Sequence, residues 1–270
     1  MAEKYTSRIA LVLDAPVDSV GDLVQAAGAV GDIDRGSPVR GEPDEAMEVH
    51  WGGRMQKAVV RRTTDEEGDG APLLRVEAYV GDQGVTEGMR RQALLLQALT
   101  RQLPPGRVTA VRDLSAMAEH EPGWVNRLTA GVVEQTDAIV ARVDGEGTRW
   151  VRTHGAARFD VPDLELYGLS AGQVEPAERL LAHVHGLLLR HGLKGEITAP
   201  DGTELYLVPV LEAWQELNLD WPGVGRAGKE RGPGLDGPRA TLSVLHPPRL
   251  GRFRFDYKGV QKLLDAMPAA

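Results

Sequence analysis

The tightest constraint on this chain is how little sequence separates its strand-like segments. Residues 46–51 and 55–61 alternate toward a link at Gly52-Gly53. Residues 138–143 and 148–153 flank Asp144-Gly-Glu-Gly147, and residues 196–199 and 204–210 flank Asp201-Gly202. Links this short join only antiparallel neighbours, because a parallel pair needs a crossover of a dozen residues or more. The chain is therefore expected to build hairpins, and a sheet of uniformly parallel strands is excluded.

The remaining segments place helices around those hairpins. Residues 8–13 form a short apolar run that ends at Asp14-Ala-Pro16 and reads as a buried strand. Val20, Leu23, Val24 and Ala27 then recur at helical spacing, with Asp18 or Ser19 in position to cap. Leu74, Val76, Ala78 and Val80 alternate with Arg75, Glu77 and Tyr79. Residues 88–103 are helical and stop at Pro104-Pro105, and 107–112 is again strand-like. The second half reads the same way: a strand at 163–167, a helix at 176–191 stopped by Gly192, a hairpin from 240–245 and 252–255, and a closing helix at 257–267. The expectation is an α+β protein of two similar halves, each a mainly antiparallel sheet with helices packed on one face. The first half fits a ferredoxin-like arrangement with one extra strand. The halves are expected at residues 1–115 and 116–270, able to pack as one body, with a Gly/Pro-rich surface loop at 222–238.

Composition narrows the function classes. With 42% apolar residues the chain has enough material for a sizeable core, and without cysteine it has no disulfides, thiolate metal sites or thiol nucleophiles. No apolar run is long enough to cross a bilayer, and the first eight residues lack the apolar core of a signal peptide. These features fit a cytoplasmic protein. Arginine outnumbers lysine 25 to 6, a bias expected of a GC-rich bacterial genome. The net charge is −8, split between +5 in residues 221–270 (nine basic, four acidic) and −13 in the rest (22 basic, 35 acidic). An acidic bulk argues against nucleic acid as a partner, since phosphate neutralisation needs a dense basic face.

Several motifs match a catalytic or nucleotide-binding spacing without its context. Gly223-Val-Gly-Arg-Ala-Gly-Lys229 has the phosphate-loop spacing, but Glu230 stands where a magnesium-binding hydroxyl belongs, and no helix can start at Arg231-Gly-Pro-Gly234. Gly168-Leu-Ser-Ala-Gly172 matches the nucleophile-elbow pattern, with His246 downstream as a partner for Ser170. An elbow needs a helix starting at once, and Gln173-Val-Glu-Pro176 is expected to delay it. His183, His185 and His191 share a helix without the i,i+4 spacing of a zinc pair, so they read as partly exposed structural histidines. No metal and no organic cofactor are expected.

The richest chemistry lies between Thr148 and Leu166, which holds Arg149, Arg152, Arg158, His154, Asp160, Asp163 and Glu165. Arg149, Arg152, His154 and Arg158 are the candidate contact surface, joined by Trp124 from an irregular segment that begins at Asp113. The histidine suits anion binding or proton transfer, and equally a turn bridged through Asp160 or Asp163. Asp163 and Glu165 share a strand face and suit a metal or an acid–base pair, but pair more simply with Arg149, Arg152 or Arg158. Trp124 can bind a partner or plug the space between the halves.

Thr153-His-Gly-Ala-Ala-Arg-Phe-Asp-Val-Pro-Asp-Leu-Glu165 resembles a block, T-x-G-x-x-x-F-x-x-P-[DE]-L-E, found in uncharacterised bacterial domains of unknown function. The resemblance extends over roughly residues 85–215 and includes the helix near 176–191. Asp160 stands where glycine is common in that block. Some of these domains are encoded near stress-response or toxin–immunity genes, so the resemblance implies a binding role. The expected function is a non-enzymatic binding or interaction protein of the stress-response or immunity type, taking a protein or a small anionic partner. The alternative is a serine hydrolase using Ser170 and His246.

Overall fold

The computed structural model describes residues 5–52, 56–65, 69–193, 195–217, 237–244 and 255–267. The fold is α+β, and the chain divides into two compact units, Met1–Ala138 and Ile139–Ala270.

The first unit is built outward from β1, Ser7–Leu13, whose apolar residues are buried on both faces. Helix α1, Val20–Ala29, follows, with the Ser19 side chain accepting the Asp22 N–H as its cap. An antiparallel meander comes next: β2 (Arg35–Val39), β3 (Glu42–His50), β4 (Lys57–Thr64) and β5 (Pro72–Ala78). Helix α2, Gly84–Thr100, leads to β6 (Val108–Asp113) and β7 (Ala118–His120). The sheet order is β2-β3-β4-β5-β1-β6-β7. Its centre, β6-β1-β5-β4, is the expected ferredoxin-like order, with every pair antiparallel. Three strands are added to it rather than one: β3 and β2 beyond β4, and β7 beyond β6.

Strand β2 carries no apolar pattern because it is an exposed edge, and Pro38 is tolerated there. Gly36 in β2 lets α1 approach closely, since a Cβ at that position would lie 2.5 Å from Val24 Cγ1. The segment after Asp113, read as irregular, holds β7 and two short helices, α3 (Gly123–Thr129) and α4 (Gln135–Ala138). Both helices pack on α2, with Trp124, Val125 and Leu128 turned inward. The division of the chain therefore falls after Ala138, and not after residue 115.

The second unit contains β8 (Val140–Asp144), β9 (Arg149–His154), β10 (Asp163–Leu169), helix α5 (Val174–His191), β11 (Ile197–Thr198), β12 (Glu204–Pro209), helix α6 (Val210–Leu217), β13 (Arg239–Val244) and helix α7 (Tyr257–Ala266). Its order is β11-β12-β13-β10-β9-β8. The hairpins at Asp144–Gly147 and Asp201-Gly202 form as expected. The two units nevertheless differ in topology: β13 enters between β12 and β10 and runs parallel to β10. The segments at 222–236 and 245–254, including most of the expected surface loop and the second strand of the last hairpin, lie outside the described residues. Among the described residues no helix is long and apolar enough to cross a membrane.

Candidate functional site

Strand alternation sorts the second sheet into two chemistries. Val151, Leu164, Leu166 and Leu242 point to one face. Arg152, His154, Asp163, Glu165, Arg239 and Thr241 share the other, together with Trp150 and Tyr167. Register makes the polar face a connected set: Glu165 stands opposite Arg152, Arg142 opposite Arg152, and Asp163 beside Arg239. The two carboxylates, Asp163 and Glu165, are buried, so each charge there needs a partner.

The two carboxylates are held differently. Glu165 Oε2 accepts the Trp150 Nε1–H at 2.8 Å, and its Oε1 lies 3.5 Å from Arg239 Nε. Asp163 Oδ1 accepts the Ala156 N–H at 2.9 Å, at the start of a 3-10 turn, Ala156–Phe159. Asp163 Oδ2 lies 3.9 Å from Arg239 Nη1. Burial pushes the Asp163 carboxyl up to about 7, a rise only partly offset by Arg239, the Ala156 N–H and Arg158. Arg239 also donates from Nη2 to the Thr153 carbonyl at 3.4 Å. Arg152 sits 4.3 Å above the Trp150 ring with its Nε 2.8 Å from Asp144 Oδ2, and burial lowers its pKa against the pull of that carboxylate. Tyr257 from α7 closes one end, its hydroxyl bonded to both the N–H and the carbonyl of Tyr167. Burial raises the Tyr257 pKa, so the hydroxyl stays protonated.

Apart from the 3.9 Å ion pair of Arg239 Nη1 with Asp163, hydrogen-bonding capacity remains at Arg239 and Thr241. Arg239 Nη1 and Thr241 Oγ1 have no hydrogen-bond partner among the described residues, although the Arg239 side chain is 8% exposed and Thr241 is fully buried. Buried donors are satisfied in nearly all native structures.

The expected site residues separate into groups. His154 and Arg158 are buried in or beside this cluster, Arg152 is partly buried in it, and Arg158 is near enough to act on the Asp163 carboxyl. Arg149 does not join them: alternation turns it to the opposite face, where it donates to the Gly145 carbonyl of the hairpin turn. Trp124 is 1% exposed within the first unit, donates to Asp137 Oδ1 at 3.2 Å and stacks on His120 at 4.0 Å. It is a core residue and offers no contact surface. Arg239, the main partner of both carboxylates, carried no signal in the sequence, because it lies 74 residues beyond Glu165. Asp160, at the position where glycine is common in the resembling block, has φ 60 and ψ 22, a left-handed conformation that aspartate tolerates.

Ser170 caps the turn that leads into α5. The helix does begin at once, through a 3-10 turn at Ala171–Gln173 that runs into α5, so the expected delay is absent. The serine is the cap of that turn: its side chain accepts the Gln173 N–H, and its own N–H donates to Gln173 Oε1 at 2.8 Å. Its backbone, φ −74 and ψ 163, is extended and unstrained, whereas an elbow nucleophile sits on a strained turn. His246 and Lys229 lie outside the described residues. On α5, His185 is fully buried rather than partly exposed, with Nδ1 3.0 Å from the Leu181 carbonyl and Nε2 3.2 Å from the Pro162 carbonyl. Burial pulls its pKa down to about 4. Among the described residues no group of three or more histidines and carboxylates is placed to hold a metal. Comparison with protein-family models, with curated proteins and with solved structures gives no match for this chain.

Proposed function

We propose that the chain is a non-catalytic bacterial, cytoplasmic binding protein whose second unit receives a small anionic group, free or carried by a partner, at Arg239 and Thr241. A role of the stress-response or immunity type is the one the sequence resemblance implies. The observation that carries the binding role is that Arg239 Nη1, 3.9 Å from Asp163 Oδ2, and Thr241 Oγ1, on the same sheet face, make no hydrogen bond among the described residues. Leaving a buried donor unsatisfied costs about 1–3 kcal/mol, and a group with two acceptor oxygens relieves both. Arg152 and Arg158 add positive charge around them, and Asp163 loses its repulsion for an anion when protonated.

The test is calorimetric titration with phosphate, sulfate and citrate at constant ionic strength. At least one anion should bind more tightly at pH 6 than at pH 8. Arg239→Gln should weaken it by about tenfold or more, the worth of one charged hydrogen bond. No binding by any of the three, or undiminished binding by Arg239→Gln, removes the reading. Fluorophosphonate labelling decides between this and the hydrolase: an adduct at Ser170 would establish the enzyme.

A further inference from the structure

A cavity of about 120 Å³ lies in the first unit, where residues at the ends of β3, β4 and β5 meet α2. Its walls are fixed by packing. Trp51 is 6% exposed, and its Nε1–H donates to the Arg91 carbonyl at 3.1 Å, which ties the β3 end to α2. A Cβ at Gly88 would lie 2.9 Å from Val80 Cβ, so α2 rests directly on Val80. Gln56 is buried, and its amide lies against the turn at Gly52, where φ is +60 and a Cβ would be 3.2 Å from Gln56 Oε1. Tyr79, just after β5, adds a second aromatic side chain to the lining.

One atom of this lining is unsatisfied. The 3-10 turn Gly81–Gln83 leads into α2, and Gln83 Oε1 is buried with no hydrogen-bond partner among the described residues. A buried acceptor in that state is costly, and an N–H from an occupant relieves it. The charges around the cavity favour an uncharged occupant. Lys57 is engaged by Glu48 at 3.2 Å and Arg91 by Glu87, so an anion meets no cation that is not already neutralised. A cation would meet those same two cations beside the single carboxylate of the lining, Asp82, which is exposed. Size and shape narrow the choice further. A cavity of about 150 Å³ takes benzene, so this one has room for a single ring. Trp51 and Tyr79 offer flat apolar faces that pack best on a planar group.

We propose that this cavity binds an uncharged, single-ring heterocycle of the pyrimidine-base class, with a ring N–H that donates to Gln83 Oε1. The site uses none of the residues assigned to the anion, so either reading can fail alone. The experiment is saturation-transfer NMR and calorimetric titration of the full chain with uracil, and with unsubstituted pyrimidine as a ring of the same size that lacks an N–H. Uracil should bind saturably, and pyrimidine about tenfold more weakly, the worth of the hydrogen bond it cannot make. Gln83→Met, which keeps the length of the side chain but not its acceptor, should weaken uracil about tenfold and leave the thermal unfolding of the chain intact. No binding of uracil overturns the proposal and leaves the cavity to water. Equal binding of pyrimidine also overturns it, since the buried amide oxygen would then play no part in recognition. Undiminished uracil binding by a folded Gln83→Met protein would place the base elsewhere on the chain, with the same consequence.

Discussion

Asp163 and His185 are both buried, and burial acts on them in opposite senses with pH. The Asp163 carboxyl titrates near 4 in an unfolded chain and near 7 in the fold, so between those values the folded state holds a proton that the unfolded state has lost. Its contribution to stability is present at low pH and is lost as pH rises toward 7. His185 titrates near 6.5 unfolded and near 4 folded, so its contribution is present above 6.5 and is lost as pH falls. The two slopes largely cancel between pH 4 and 6.5 in the natural chain, and single substitutions should expose them. Relative to the natural chain, Asp163→Asn should gain stability on the order of a few kcal/mol as pH rises from 4 to 7. His185→Gln should gain as pH falls from 6.5 to 4. Urea unfolding at a series of pH values measures both, and stability differences that do not change with pH would contradict the assignments. The identity of these residues was legible in the chain, but their burial was not. His185 looked partly exposed because i,i+2 spacing says nothing about which helix face meets the sheet.

Among the elements, caps and turns were the most legible parts, because their chemistry closes within a few residues. Ser19 caps α1 through the Asp22 N–H, as its position before the apolar period suggested. The Ser170–Gln173 box works on the same local scale, with the serine of the G-x-S-x-G pattern serving as a cap. Ser170→Ala should cost about 1 kcal/mol, and Ser170→Asp should restore most of it, because aspartate caps a helix as well as serine does. Thermal unfolding of the three proteins checks this, and a destabilised Asp variant would argue for another role. Strand β2 was illegible for the opposite reason: an exposed edge has no apolar alternation to read. Its one strict requirement is Gly36, against which Val24 packs. Gly36→Ala should cost about 1–3 kcal/mol by overpacking, measurable in denaturant, and a neutral outcome would mean that α1 can move away from β2.

For the whole molecule, the boundary between units follows packing rather than pattern. Helix α3 covers α2, where Leu95, Leu96 and Leu99 are fully buried, and burying a leucine contributes roughly 1.5–3 kcal/mol. A fragment of residues 1–138 should therefore unfold cooperatively and give dispersed amide spectra, while 1–115, which lacks Trp124 and Leu128, should be far less stable or unfolded. Equal stability of the two fragments would refute this account of the boundary. The sequence by itself determined the antiparallel hairpins, the helix caps and the α+β class, since turn geometry and hydrogen bonding over a few residues leave each little choice. Only the tertiary structure decided that β13 runs parallel beside β10, that Arg239 meets Asp163 and Glu165, and that Trp124 is core. Those contacts join segments far apart in the chain, and no local period or spacing encodes which distant strand closes beside which.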